Sequence, residues 1–123
     1  MIGIGTDLVD IDRFRTVLQR TPSFVDRVFR DDERAYADQA NDPTARLAAR
    51  FAAKEATLKS LGLGLGAMAL SDIEVVKHDD GRPELRLHGT AAAAAAEAGA
   101  TRFLLTISHT EHLAQATVVA LAS

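Results

Sequence analysis

Asp7 is a carboxylate set in a short apolar segment, Gly3-Ile4-Gly5-Thr6-Asp7-Leu8-Val9. If that segment is a strand, Gly3, Gly5, Asp7 and Val9 share one face, and the two glycines leave room for a close neighbour. An acid in such a place needs a hydrogen-bond donor or a cation, and a strand-end role or a ligand role would each meet that need. A second set of ionisable residues, Arg50, Lys54, Glu55 and Lys59, lies along a helical stretch. Glu55 and Lys59 form an i,i+4 pair, which as a plain surface ion pair contributes little. Lys54 falls inside the apolar stripe of Leu47, Phe51, Leu58 and Leu61, where it either snorkels to water or carries a function. Two carboxylates converging in a chain without cysteine suit a hard divalent ion. Mg²⁺ takes one or two protein carboxylates and keeps waters that a phosphate can displace. His109, flanked by Ser108 and Thr110, fits a structural histidine or an anion contact equally well.

Gly62, Gly64 and Gly66 spell G-x-G-x-G, but the run follows a helix and precedes a strand. A dinucleotide fingerprint has the opposite order, so that reading fails, and a glycine loop whose amides approach a phosphate remains. Residues 13–30 hold Arg13, Arg15, Arg20, Arg27 and Arg30 against the single Asp26. Arg13 and Arg20, seven apart, share a helical face from which Phe14 and Leu18 turn away. This local positive patch sits in a chain of net charge −3. It is either a solvated charged face or a surface for an acidic partner.

The elements that must position these groups can be read from periodicity. Ile2 to Val9 alternates as a strand, and from Asp10 the period changes to a helix with Ile11, Phe14 and Leu18 on one face, ended by Pro22. A short helix through Phe24, Val25 and Val28 follows, then one capped by Asp31 and running to Ala40. Pro43 opens the longest helix, Thr44 to Leu61, which Gly62 stops. Its back is small (Ala48, Ala49, Ala52, Ala53 and Ala56), so it is expected to pack on two sides, one of which could be another subunit. Strands at Asp72 to Lys77 and Glu84 to Leu87 flank a turn, Asp79-Asp80-Gly81-Arg82-Pro83. The alanine-rich stretch Thr90 to Ala98 is expected as a close-packed helix capped by Thr90 and ended by Gly99. Two strands, Arg102 to Ser108 and Leu113 to Leu121, close the chain. This order predicts an α+β fold in one domain, 1–123, with a mainly antiparallel sheet on one long helix and shorter helices.

Composition excludes several classes. Hydrophobic residues make up 47% of the 123 residues and charged ones 25%, a globular balance. Fourteen basic against seventeen acidic residues give no general attraction for nucleic acid. With no cysteine there are no disulfides, thiol nucleophiles or thiolate metal sites. No run approaches a membrane span, and the N-terminus lacks a basic leader, so the expectation is a cytoplasmic protein without membrane or nucleic-acid partners.

Three segments together carry a resemblance: Gly3-Ile4-Gly5-Thr6-Asp7-Leu8-Val9-Asp10-Ile11; Arg50-Phe51-Ala52-Ala53-Lys54-Glu55-Ala56 with Lys59 and Gly62; and Ile107-Ser108-His109-Thr110. In order and spacing they resemble the bacterial holo-[acyl-carrier-protein] synthases, the small class of 4′-phosphopantetheinyl transferases. The resemblance implies transfer of the 4′-phosphopantetheine arm of coenzyme A to a serine of apo-acyl carrier protein, within fatty acid biosynthesis. It puts Asp7 and Glu55 at the Mg²⁺-ligand positions and Lys59 on the pyrophosphate; Glu55 or a metal-bound water takes the serine proton. Coenzyme A contacts are implied for Arg50, Lys54, Lys59, Gly62, Gly64, Gly81, Arg82, Pro83, His109 and Thr110. Docking of the acidic carrier is implied for Arg13, Arg20 and Arg27. The family is similar to a homotrimer with sites between subunits. One departure stands out: Leu63 follows the helix-ending Gly62 where the family often has Thr, leaving the amides of Gly62 and Gly64 for a phosphate. The competing reading is a non-catalytic regulatory domain that binds coenzyme A or another small molecule; it requires neither that Asp7 and Glu55 meet nor that Mg²⁺ be present.

Overall fold

The computed structural model describes residues 1–123. The chain runs β1 (Gly3–Asp10), α1 (Ile11–Arg20), α2 (Ser23–Val28), α3 (Asp31–Asp38) and α4 (Thr44–Ser60). A 3-10 turn (Leu70–Asp72) then leads into β2 (Ile73–Lys77), β3 (Pro83–Leu87), α5 (Gly89–Ala98), β4 (Arg102–His109) and β5 (Leu113–Leu121). All strand pairing is antiparallel, in a three-stranded sheet of order β1-β5-β4 and a separate β2-β3 hairpin. The α+β class holds, although the strands divide between two sheets.

Helix α4 lies across β1 and β5, and the reason is size. Ala48, Ala49, Ala52, Ala53 and Ala56 are buried together with Ala114, Ala116 and Val118 of β5. Small residues on both surfaces let the helix backbone approach the sheet closely. The alanine face therefore packs on the chain's own sheet and not on another subunit. The space beside Gly3 and Gly5 is filled in the same way. A Cβ on Gly3 would stand 2.1 Å from the Ser60 carbonyl oxygen, so the close neighbour of these glycines is α4 itself. The glycine face of β1 thus points inward, while Ile4 and Leu8 on its other face are 59% and 62% exposed.

Helix ends depart from expectation in two places. Asp10 caps α1 by accepting the Arg13 N–H at 3.0 Å. The cap of α3 is Arg30 rather than Asp31, with Glu33 accepting the Arg30 N–H at 3.0 Å. The cap of α5 is His88 rather than Thr90; Thr90 lies in the first turn and gives both its N–H and its hydroxyl to Asp72, at 2.8 and 2.7 Å. In the alanine run only Ala91 and Ala95 are buried, so α5 packs on one side only. Gly99 ends it at φ 79°, a left-handed position that favours glycine.

Candidate functional site

The register of β1 against α4 sets the first group. Asp7 lies on the inward face of β1, and Lys59 crosses from α4 to meet it: Nζ donates to Asp7 Oδ1 at 3.1 Å and to the Thr6 carbonyl at 3.0 Å. Lys59 thus pairs with the strand acid and not with Glu55, contrary to the i,i+4 expectation. Glu55 stands one helical turn before Lys59 and shares with Asp7 a cavity of about 400 Å³, also lined by Arg13, Phe14 and Phe51. Burial, and next the charge of Asp7, raise the Glu55 pKa above the ordinary carboxylate range, while Lys59 partly offsets them. Two acids that feel one another in a partly desolvated place, with a lysine at the edge, make a setting for a cation and for a phosphate.

A second cavity of about 500 Å³ opens on the other side of α4. Arg46 and Arg50 project into it from successive turns, and Tyr36 comes from the end of α3. The β2–β3 hairpin contributes Lys77, Gly81 and Pro83, and His109 arrives at the end of β4. Gly81 takes φ 93° in the tight turn, its N–H donating to the His78 carbonyl at 2.9 Å. Burial pushes the Arg50 pKa down, and the neighbouring Tyr36 and Glu33 push it up. The cavity is cationic, and it shares no lining residue with the first.

The model of the 4′-phosphopantetheinyl transferase superfamily matches residues 3–117. The chain belongs to that superfamily. The holo-[acyl-carrier-protein] synthase of Streptomyces avermitilis is 47% identical over 120 residues, covering 98% of this chain and 97% of that protein. The crystal structure of the Neisseria meningitidis synthase superposes with a TM-score of 0.89 at 33% identity, covering 98% of each chain. The Bacillus anthracis synthase in complex with coenzyme A (3′,5′-ADP) gives 0.82 at 33%, covering 99% of this chain and 97% of that one.

In this phosphopantetheinyl transferase the expected site residues fall into distinct groups. Asp7, Glu55 and Lys59 come together, as do Arg50, Gly81, Pro83 and His109. Lys54 does neither: it has no exposed side-chain surface and neither snorkels nor reaches a cavity. Its Nζ donates to Glu33 Oε1 at 2.9 Å, to the Leu70 carbonyl at 3.0 Å and to the Ile73 carbonyl. All three donors are engaged, so a ligand contact from Lys54 is withdrawn. Gly62 ends α4 at φ 70°, with its N–H on the Lys59 carbonyl at 3.0 Å, which leaves Gly64 as the loop amide free of such a bond. The Thr110 hydroxyl oxygen accepts the Leu113 N–H at 3.1 Å and serves the β4–β5 turn. Arg82 pairs with Asp80 at 2.8 Å outside the cationic cavity. Sequence reasoning missed Arg46, Tyr36 and Lys77; the i,i+4 spacing of Arg46 and Arg50 was the available signal.

Proposed function

We propose that residues 1–123 act as one holo-[acyl-carrier-protein] synthase domain, moving the 4′-phosphopantetheine arm of coenzyme A to a serine of an apo-acyl carrier protein. The observation that carries this reading is the convergence of Asp7, Glu55 and Lys59 at one junction of β1 and α4, within a chain that matches the transferase superfamily over residues 3–117.

The serine oxygen attacks the β-phosphorus of the coenzyme A pyrophosphate, a new P–O bond forms, and the bond to the bridging oxygen breaks to release adenosine 3′,5′-bisphosphate. Lys59 meets the negative charge that builds on the leaving phosphate. Glu55, or a water held by the Asp7 and Glu55 carboxylates, takes the serine proton. The donor set suits Mg²⁺: Asp7 and Glu55 line one cavity as hard oxygen donors, while Asp10, the third carboxylate there, is spent on capping α1. Asp7 and Glu55 would hold the ion, which when bound supplies neutralisation of pyrophosphate charge. The Arg50, His109, Gly81 and Pro83 cavity takes the adenosine 3′-phosphate end.

The two cavities of one chain are separate, and this supports a homotrimer in which a second copy brings its cationic cavity to the Asp7–Glu55 junction. The outer face of the three-stranded sheet, with Ile4, Leu8 and Leu104 more than half exposed, is the surface available for such assembly. No helix is long and apolar enough to cross a membrane. We place the reaction in the cytoplasm and in fatty acid biosynthesis on the family resemblance.

The deciding experiment incubates the protein with coenzyme A, Mg²⁺ and an apo-carrier protein and measures the carrier's intact mass. Addition of one phosphopantetheine unit is expected, with loss of transfer but retained folding in Asp7→Ala and Glu55→Ala. An unchanged carrier, or near-normal rates in either variant, overturns the assignment.

A further inference from the structure

Tyr36 stands where three cations collect without any of them being held in an ion pair. The Arg46 and Arg50 guanidinium carbons lie 4.3 and 4.2 Å from its ring centroid, and Lys77 Nζ lies 5.3 Å away. None of the three cations forms an ion pair with any carboxylate of the chain. Asp42, which also lines this cavity, is already held by Arg15 at 3.0 Å. Arg50 is only 7% exposed, and its Nε is buried with no hydrogen-bond partner. Arg46 donates to the Tyr36 carbonyl at 2.7 Å, so ring and backbone of one residue both hold it.

Cations this close repel one another, and burying one adds to the cost. The negative face of an aromatic ring offsets part of that cost, and an oxyanion bonded to both guanidinium groups would offset more. Asp7 and Glu55 line a separate cavity, with Lys59 paired to Asp7 beside it as the group for the pyrophosphate, so the anion meant for this one is the nucleotide's other phosphate.

We infer that Tyr36 is a positioning residue: its ring holds the Arg46 and Arg50 side chains as a clamp for the 3′-phosphate of coenzyme A and so sets selectivity for the 3′-phosphorylated nucleotide. The inference rests on the transferase reading for the identity of its ligand, and its test is a binding measurement that does not require transfer.

Calorimetric titration compares adenosine 3′,5′-bisphosphate with adenosine 5′-monophosphate on wild type, Tyr36→Phe and Tyr36→Leu. Wild type should prefer the bisphosphate; Tyr36→Leu should lose about tenfold of that affinity with the monophosphate unchanged, and Tyr36→Phe should stay within about twofold of wild type. In the transfer assay Tyr36→Leu should raise KM for coenzyme A and leave kcat unchanged. Should Tyr36→Leu fail to fold, Arg46→Gln must show the same selective loss. Equal weakening of both nucleotides, as a merely structural role would give, or no weakening of either, overturns the inference. Selective loss in a protein that transfers nothing supports the clamp and overturns only the transferase reading.

Discussion

Gly5 of β1 lies directly beneath the Ala56 carbonyl of α4, so that a Cβ on Gly5 would stand 2.1 Å from that oxygen. The same contact holds Asp7, two residues along the strand, against Glu55 and Lys59. Gly5→Ala must therefore push α4 off the sheet and separate the three groups. The expected stability loss is about 1–3 kcal/mol, as for an overpacked core, together with a fall in transfer rate larger than the unfolded fraction explains. Urea melts and single-turnover transfer on the same preparation check both.

The strands and helices were legible because they depend on local periodicity; that Asp7 and Glu55 would line one cavity was expected from the motif that carries the family resemblance, not from spacing. What stayed hidden depends on tertiary partners. The alternation of β1 correctly divides its faces, yet which face turns inward is decided by α4, whose backbone tolerates only glycine at Gly3 and Gly5. The stripe containing Lys54 reads as amphipathic, but the acid that receives it, Glu33, is 21 positions away on α3. Arg46 and Tyr36 belong to different helices, and no spacing rule joins them.

Lys54 and Glu33 are both fully buried, and each is satisfied by backbone as well as by the other. Removing one partner strands a charge, so Lys54→Met should cost about 3–5 kcal/mol. Glu33→Gln keeps an oxygen for the Val75 N–H at the expense of the Arg30 N–H, and combined with Lys54→Met it leaves neither charge of this pair buried. The double variant should be more stable than Lys54→Met alone. A double-mutant cycle by urea denaturation reads this directly; strict additivity would show that the pair is not coupled.

Asp72 gives a pH signature. The Thr90 hydroxyl and then the Thr90 N–H hold its carboxyl below the ordinary value of 3.8. A depressed folded pKa means that the unfolded chain binds its proton first. The stabilisation is complete above that ordinary value and is lost as pH falls through the folded one. Asp72→Asn should be less stable than wild type near neutrality by about 0.5–1 kcal/mol. Urea midpoints of the two proteins should converge on acidification below the ordinary carboxylate range.

The sheet's outer face makes the assembly testable. Leu104 is 52% exposed in the single chain, so Leu104→Lys should cost a monomer little. In a threefold assembly the same lysine would be forced into an apolar contact. Light scattering should give about three times the 13.1 kDa chain mass for wild type and a smaller species for Leu104→Lys. A wild type that is monomeric and fully active would sink the shared-site arrangement.

Of the five arginines in residues 13–30, the fold engages two: Arg15 pairs with Asp12 and Asp42, and Arg30 with Asp72. Arg13, Arg20 and Arg27 are exposed and form no ion pair, and Arg13 also lines the cavity that holds Asp7 and Glu55. Val17, 40% exposed, lies between Arg13 and Arg20 on the same face of α1, an apolar point within a basic rim. An acidic carrier docked there would present its serine to the adjacent junction. Charge of this kind acts chiefly on encounter and is screened by salt over about 8 Å at physiological ionic strength. Arg13→Glu combined with Arg20→Glu should therefore raise KM for the carrier at least about tenfold, leaving coenzyme A affinity unchanged. The wild-type KM for the carrier should also climb as salt is added, and that climb should be weaker in the double variant. If the double variant instead lost coenzyme A binding, or changed neither constant, the carrier would have to dock on another face.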